Sequence, residues 1–253
     1  MGKVIAVANQ KGGVGKTTTT INLGACLADM GKSVLLVDID PQGNTTSGLG
    51  VEKNRLDLCM YDVLIDNLPV RQTIVSTRLP GLKLVPATVD LAGAEIELVP
   101  AISRETKLKR ALDDVRKEFD FIIIDCPPSL GLLTLNALTA ADSLLVPIQC
   151  EFYALEGLGQ LMNTVFLVQA NLNPELRIEG VVLTMFDGRT NLSIQVVEEV
   201  KKYFRGKVYR SIIPRNVRLS EAPSHGKPII IYDPKSRGAE VYIELAQEVA
   251  RGA

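Results

Sequence analysis

Asn9-Gln10-Lys11-Gly12-Gly13-Val14-Gly15-Lys16-Thr17-Thr18 is the stretch best suited to chemistry. It follows a short β-branched run and opens an amphipathic pattern, the strand-to-helix context that a phosphate loop requires. Glycines let the backbone curl so that several N–H groups point at phosphate oxygens, and a helix starting near Lys16 adds its dipole to the same anion site. Lys16 would reach the β- and γ-phosphates, and the Thr17 hydroxyl would ligate Mg²⁺. The spacing is not the usual G-x-x-x-x-G-K-[ST]: position 10 is Gln, and Lys11 precedes the Gly12-Gly13 pair. A glycine turn beside one lysine can be purely structural. Two lysines, three glycines and a following threonine argue against that.

Carboxylates stand where phosphate chemistry needs them. VLLVDIDPQG sets Asp38 and Asp40 at the end of a strand pattern, and FIIIDCPP does the same for Asp125. The carboxyl end of a parallel strand is where open α/β sheets bind ligands, and a carboxylate there can hold Mg²⁺ directly or through water. Aspartate after a strand is also a common turn or cap residue, so each site alone would be weak. With the glycine loop they form one set.

The elements that must position these groups alternate. Strand patterns fall at Lys3–Ala8, Ser33–Asp38, Leu82–Pro86, Asp120–Asp125, Ser143–Pro147, Gly180–Thr184 and Val208–Ile213. Helical patterns fall at Lys16–Met30, Arg104–Phe119, Leu130–Ala140, Ala154–Ala170, Leu192–Phe204 and Gly238–Ala250. Runs apolar on both faces belong to parallel strands covered on each side. The expectation is a doubly wound α/β fold, residues 1–253 forming one domain around a mostly parallel sheet flanked by helices. Between Gly43 and Gly81 the pattern is irregular and suits short helices over a sheet edge.

With 46% hydrophobic residues there is material for a sizeable core, while 5% aromatic content and no Trp disfavour a single-strand binder built on base stacking. Val4–Ala8 is too short for a signal-peptide core and no run suits a membrane span, so the expected location is cytoplasmic. Cys26, Cys59, Cys126 and Cys150 are scattered and read as buried free thiols. Net charge is −1, yet Lys201–Arg237 holds ten basic and two acidic residues. Such a segment either meets an anionic partner or is balanced by acidic neighbours in space, and charge alone does not choose.

KGGVGKTTT, LLVDIDPQGNTTSGLG, LAGAEIELV, IIIDCPPSLGLLTLNAL and PRNVRLSEAPSHGKPI together resemble the ParA/Soj branch of the deviant-Walker P-loop ATPases, over essentially the whole chain. The first and fourth are shared with MinD-like relatives; the third and last point to the chromosome-partitioning branch. The resemblance implies ATP and Mg²⁺ as ligands, an ATP-dependent homodimer, non-specific double-stranded DNA and a ParB-type protein as partners, with nucleoid association in the ATP state. It casts Lys11 as a lysine reaching the ATP of the other subunit, in the manner of an arginine finger. Asp40 would position the attacking water. Asp38 and Asp125 would be water-mediated Mg²⁺ partners, and Pro214 and Asn216 the adenine-contacting turn. Arg189 and Arg218 become the leading candidates for DNA-backbone contacts, with Lys201, Lys202 and Arg205 as lesser ones. Backbone contacts of this kind are sequence-independent and salt-sensitive, and two patches on one dimer gain effective concentration.

Other features carry blander readings. His225, the lone histidine, suits a loop-anchoring hydrogen bond better than catalysis. The Leu155–Val168 stripe suits packing on the sheet, and Glu240, Glu244 and Glu248 a solvated helix face. An acidic terminal helix weighs against a MinD-like membrane-surface ATPase, since a membrane-binding helix wants Lys or Arg on its polar face. A third reading is an iron–sulfur reductase or ATP-dependent synthetase on the same scaffold; the scattered cysteines offer no ligation pattern for a cluster.

Overall fold

Val4–Val7, Val34–Val37 and Phe121–Ile124 are buried along their whole length, which is possible only for strands with helices on both faces. The computed structural model describes residues 1–151 and 157–252. Its strands are β1 (Lys3–Val7), β2 (Val34–Asp38), β3 (Val75–Ser76), β4 (Leu82–Val85), β5 (Phe121–Asp125), β6 (Ser143–Gln149) and β7 (Arg177–Thr184). They form one sheet in the order β3-β4-β2-β5-β1-β6-β7, parallel except for the edge strand β3.

The helices are α1 (Lys16–Asp29), α2 (Asn44–Gly48), α3 (Met60–Leu64), α4 (Leu91–Glu97), α5 (Lys107–Asp113), α6 (Leu132–Ala140), α7 (Leu158–Asn171), α8 (Asn191–Tyr203), α9 (Val217–Glu221), α10 (Ile229–Tyr232) and α11 (Arg237–Arg251). Strand side chains alternate between two cores. Ala6, Val37, Ile124 and Val146 pack with α3 to α8, whereas Ile5, Leu36, Ile123 and Leu145 pack with α1 and α11. The expected doubly wound α/β architecture is present.

Three expectations need correction. Val208–Ile213 is not a strand; it makes isolated parallel bridges, Val181 to Val208 and Phe186 to Pro214. Its backbone is diverted: the Arg210 and Ser211 N–H groups donate to the Glu248 carboxylate at 3.0 and 2.9 Å, so α11 takes donors that a ladder would use. Glu248 is therefore no mere solvated residue. Hydrogen bonding from Arg210 and Ser211 outweighs its partial burial and holds its carboxyl below the usual range. The Arg104–Phe119 pattern is broken into a 3₁₀ turn at Arg104–Thr106, then α5, then a second turn at Arg116–Glu118. At the first junction Asn136 of α6 accepts from Leu108 N and donates to Arg104 O. Residues 154–156 of the Ala154–Ala170 pattern, including the start of the Leu155–Val168 stripe, lie outside the described residues. In the described part Leu158, Leu161, Val165 and Val168 are buried against the sheet.

Candidate functional site

Gly13 and Gly15 both have positive φ, at 74° and 87°, which is why glycine is needed to turn β1 into α1. α1 then starts at Lys16 with no side-chain cap and no acidic residue in its first turn, leaving its N–H groups aimed at an incoming anion. The loop is braced from outside. Asn9 Nδ2 donates to Pro147 O at 2.7 Å, Lys11 N donates to Asn9 Oδ1 at 3.0 Å, and Thr184 Oγ1 donates to Val14 O at 2.8 Å.

Lys16 is 6% exposed, and its Nζ donates to Lys11 O at 3.1 Å. Burial lowers its pKa, and the nearby Asp125 carboxylate opposes that shift. A buried ammonium bonded to a neutral carbonyl is incompletely compensated, so the loop suits phosphate oxygens. Lys11 uses both backbone groups inside the loop. Among the described residues its ammonium has no hydrogen-bond or ion-pair partner. Gly12 and Gly13 are exposed, and Thr17 and Thr18 are half-buried at the start of α1.

Beneath the loop stand the carboxylates. Asp38 and Asp125 are register partners at the ends of β2 and β5, both fully buried. Burial raises both pKa values, and for Asp38 the charge of Asp125 adds to the effect. Threonine hydroxyls hold them. Thr45 Oγ1 donates to Asp125 Oδ2 at 2.7 Å and Thr20 Oγ1 to Asp125 Oδ1 at 3.4 Å; Thr46 donates to Asp38 Oδ2 through Oγ1 at 2.7 Å and through N at 2.9 Å. Asp40 is 6% exposed and accepts from Gln42 N at 2.9 Å, fixing the turn that leads into α2. Sequence reasoning gave no role to Thr20, Thr45 and Thr46. The signal was present as a Thr-Thr pair five and six residues past Asp40, but its use depends on α2 folding back beneath β2 and β5.

Among the described residues no group of three His, Cys, Asp or Glu side chains forms a metal cage. A threonine hydroxyl and strand-end carboxylates are oxygen donors of the kind that suit Mg²⁺, which takes one or two carboxylates and completes its shell with phosphate oxygens and water. Thr17, Asp38 and Asp125 are the residues available to it. All four cysteines are free and buried, and burial pushes the Cys26 and Cys150 thiols up to about 12. These are inert side chains rather than cluster ligands.

On the other side of the loop a cavity of about 440 Å³ is lined by Gly15, Thr18, Thr184, Met185, Pro214, Asn216 and Tyr242, among others. Asn216 caps α9, its Oδ1 accepting from Arg218 N at 2.8 Å, and Tyr242 is buried with its hydroxyl 3.2 Å from Thr19 Oγ1. Pro214 and Asn216 thus share a cavity with the start of α1, as an adenine-binding turn requires. Sequence reasoning missed Tyr242 because it arrives from α11.

The five basic candidates separate. Arg189 and Arg218 follow segments tied together by the Phe186–Pro214 bridge; Thr184 and Met185 of the first and Val217 and Leu219 of the second line this cavity, though neither arginine does. Each is engaged: Arg189 Nη2 lies 2.6 Å from Asp187 Oδ2, and Arg218 Nη1 lies 2.9 Å from Glu221 Oε2 with Asp233 at 3.4 Å from its Nε. Lys201 and Lys202 close α8 at its far end with Arg205 just beyond. All three are exposed, and among the described residues they have no ion-pair partner. Along a helix of 13 residues that end lies roughly 20 Å from Arg189. His225 stacks on Tyr232 with ring centroids 4.9 Å apart, away from the carboxylates.

Comparison with known proteins agrees with this geometry. A family model described as an AAA domain matches residues 2–178. The sporulation initiation inhibitor protein Soj of Bacillus subtilis is 70% identical over 250 residues, 99% of each chain. The chromosome partitioning protein ParA of Myxococcus xanthus is 56% identical over 99% of this chain and 89% of that one. Among solved structures, a cobyrinic acid a,c-diamide synthase from Mycobacterium smegmatis with bound ADP and magnesium superposes with a TM-score of 0.88 at 43% identity, covering 99% of this chain and 95% of that one. With similarity running from end to end, this chain belongs to the AAA-domain P-loop ATPases and, within them, to the Soj/ParA chromosome-partitioning family.

Proposed function

We propose that this chain is a nucleotide-switched, DNA-binding ATPase that dimerises on ATP and drives chromosome or plasmid partitioning with a ParB-type partner that stimulates hydrolysis. ATP is held by the loop from Lys11 to Thr18, with its base against Pro214 and Asn216. Mg²⁺, when held by Thr17 with Asp38 and Asp125, neutralises charge developing on the phosphates. Lys16 binds the β/γ-phosphate end, Asp40 orients the attacking water, and Lys11 reaches across to the nucleotide of a second copy. Its uncommitted ammonium and the bare outer face at Gly12 and Gly13 support that role. The location is cytoplasmic, nucleoid-associated in the ATP state. Among the described residues no helix is long and apolar enough to cross a membrane.

The observation that carries the reading is the bridge between Phe186 and Pro214. It sets Arg189 and Arg218 on the two segments that also line the base cavity, so occupancy of the cavity can govern how those arginines are presented. Lys201, Lys202 and Arg205 supply further phosphate contacts without first leaving an ion pair. Binding to duplex DNA of arbitrary sequence, with no nucleotide, ADP–Mg²⁺ or ATP–Mg²⁺ across a salt titration, tests this. Expected is binding with ATP alone, weakening steeply with salt. Absence of binding in every state overturns the DNA reading.

The name of the Mycobacterium smegmatis neighbour favours a second reading, a small-molecule synthase on the same scaffold. ATP turnover unaffected by DNA or partner but dependent on a carboxylic acid substrate would select it.

A further inference from the structure

The LAGAEIELV segment has no role in the site described above, yet α4 brings one of its residues against the start of α6, next to the loop that follows Asp125. Leu91, Ala94 and Leu98 are buried in the core. Glu95 projects onto the start of α6: a Cβ placed on Gly131 would stand 2.3 Å from Glu95 Oε1 and 3.6 Å from Oε2. That Oε1 is buried and has no hydrogen-bond partner. Gly131 precedes the nine-residue α6 and offers no side-chain cap, so the first-turn N–H groups of α6 lack an acceptor from it. A carboxylate beside an uncapped helix start is favoured by the helix dipole. A buried acceptor left without a donor is costly, so its placement calls for an explanation.

The loop between Asp125 and Gly131 links this contact to the chemistry. At its near end Cys126 N donates to Val7 O at 3.2 Å, and towards its far end Thr134 Oγ1 of α6 donates to Ser129 O at 2.7 Å. In between, Pro128 is the nearest neighbour of a Cβ built on Gly12, at 3.9 Å. The loop is therefore tied to α6 on one side and lies against the phosphate loop on the other.

We propose that Glu95 is a positioning residue for ATP hydrolysis, the packing of its carboxyl group against Gly131 fixing where α6 begins and thereby holding the Cys126–Leu130 loop in register with Asp125 and the phosphate loop. The proposal rests on the reading of Asp125 as a Mg²⁺ partner. Glu95 touches neither nucleotide nor metal residues itself, so its removal acts on turnover and not on ATP affinity.

Two substitutions remove the contact independently. Glu95→Ala deletes the carboxylate. Gly131→Ala leaves it in place but pushes it aside, and Gly131 sits at φ −76°, which alanine adopts freely. Steady-state hydrolysis by the full chain should show kcat reduced by about fivefold or more in each, with KM for ATP within about twofold and the thermal midpoint little changed. Glu95→Gln, which keeps the shape packed against Gly131, should stay within about twofold of the parent kcat. The double variant Glu95→Ala/Gly131→Ala should be no slower than the slower single, because both remove the same contact. An unchanged kcat per folded molecule in Glu95→Ala or Gly131→Ala, or losses that multiply in the double variant, would overturn the proposal. Asp125→Asn assayed beside them separates the premise. If it keeps a normal Mg²⁺ dependence, the Asp125 reading fails and this proposal with it. If it is impaired in Mg²⁺ while Glu95→Ala turns over normally, the Glu95 proposal fails alone.

Discussion

The nest beneath the phosphate loop and the basic surface beyond β7 are built on opposite principles. In the nest Lys16, Asp38, Asp40 and Asp125 are buried, and each is held by backbone or threonine groups. On the basic surface Arg189 and Arg218 are 87% and 55% exposed in their side chains and lie in ion pairs that solvent screens. Low dielectric makes each nest contact strong and each loss severe, whereas exposed charges are individually weak and act by accumulation. Contacts in the nest therefore count singly, whereas those of the basic surface add up.

The largest effect expected is from Lys16→Ala. Removing the one buried cation among these carboxylates should abolish productive nucleotide binding, as checked by fluorescent-nucleotide titration, and retained micromolar ATP affinity would break the contrast at its strongest point. Next is Asp40→Ala, which should lower hydrolysis by about a hundredfold or more while ATP still binds, leaving an ATP dimer trapped on DNA. Normal turnover would remove Asp40 from the mechanism. Thr46→Val is the sharper structural probe. Its hydroxyl donates to Asp38 and also accepts from Ala87 N at 3.0 Å, so its loss strands the Ala87 N–H, leaves Asp38 with backbone donors only, and should cost about 2–3 kcal/mol by urea unfolding. A cost under about 0.5 kcal/mol would mean that the nest tolerates a buried N–H without an acceptor.

The smallest effects belong to the surface. Lys201→Ala, Lys202→Ala and Arg205→Ala should each weaken DNA binding several-fold at most, and each should flatten the logarithmic salt dependence by about one unit. Charge reversal at Arg189 or Arg218 should do more, because it leaves Asp187 or Glu221 facing the phosphates. Equal effects from both groups would mean that the ion pairs near the base cavity do not restrain the arginines.

Much of this molecule was legible before folding because its signals are local. The glycine spacing fixes the loop turn, the doubly apolar runs fix covered parallel strands, and aspartates at strand ends fix where ligand chemistry gathers; none of these depends on distant residues. What tertiary structure decided depends on which surfaces meet. Val208–Ile213 has the composition of a strand, but Glu248 of α11 takes two of its backbone donors, and no local pattern encodes that. The basic count in Lys201–Arg237 is a property of sequence, whereas its division into Arg218, ion-paired with Glu221, and Lys201, Lys202 and Arg205, without an ion-pair partner among the described residues, is one of geometry. Thr45, Thr46 and Tyr242 reach the site from elements remote in sequence or folded back upon it. Periodicity reports what a segment buries, while packing alone determines which buried group lies against which.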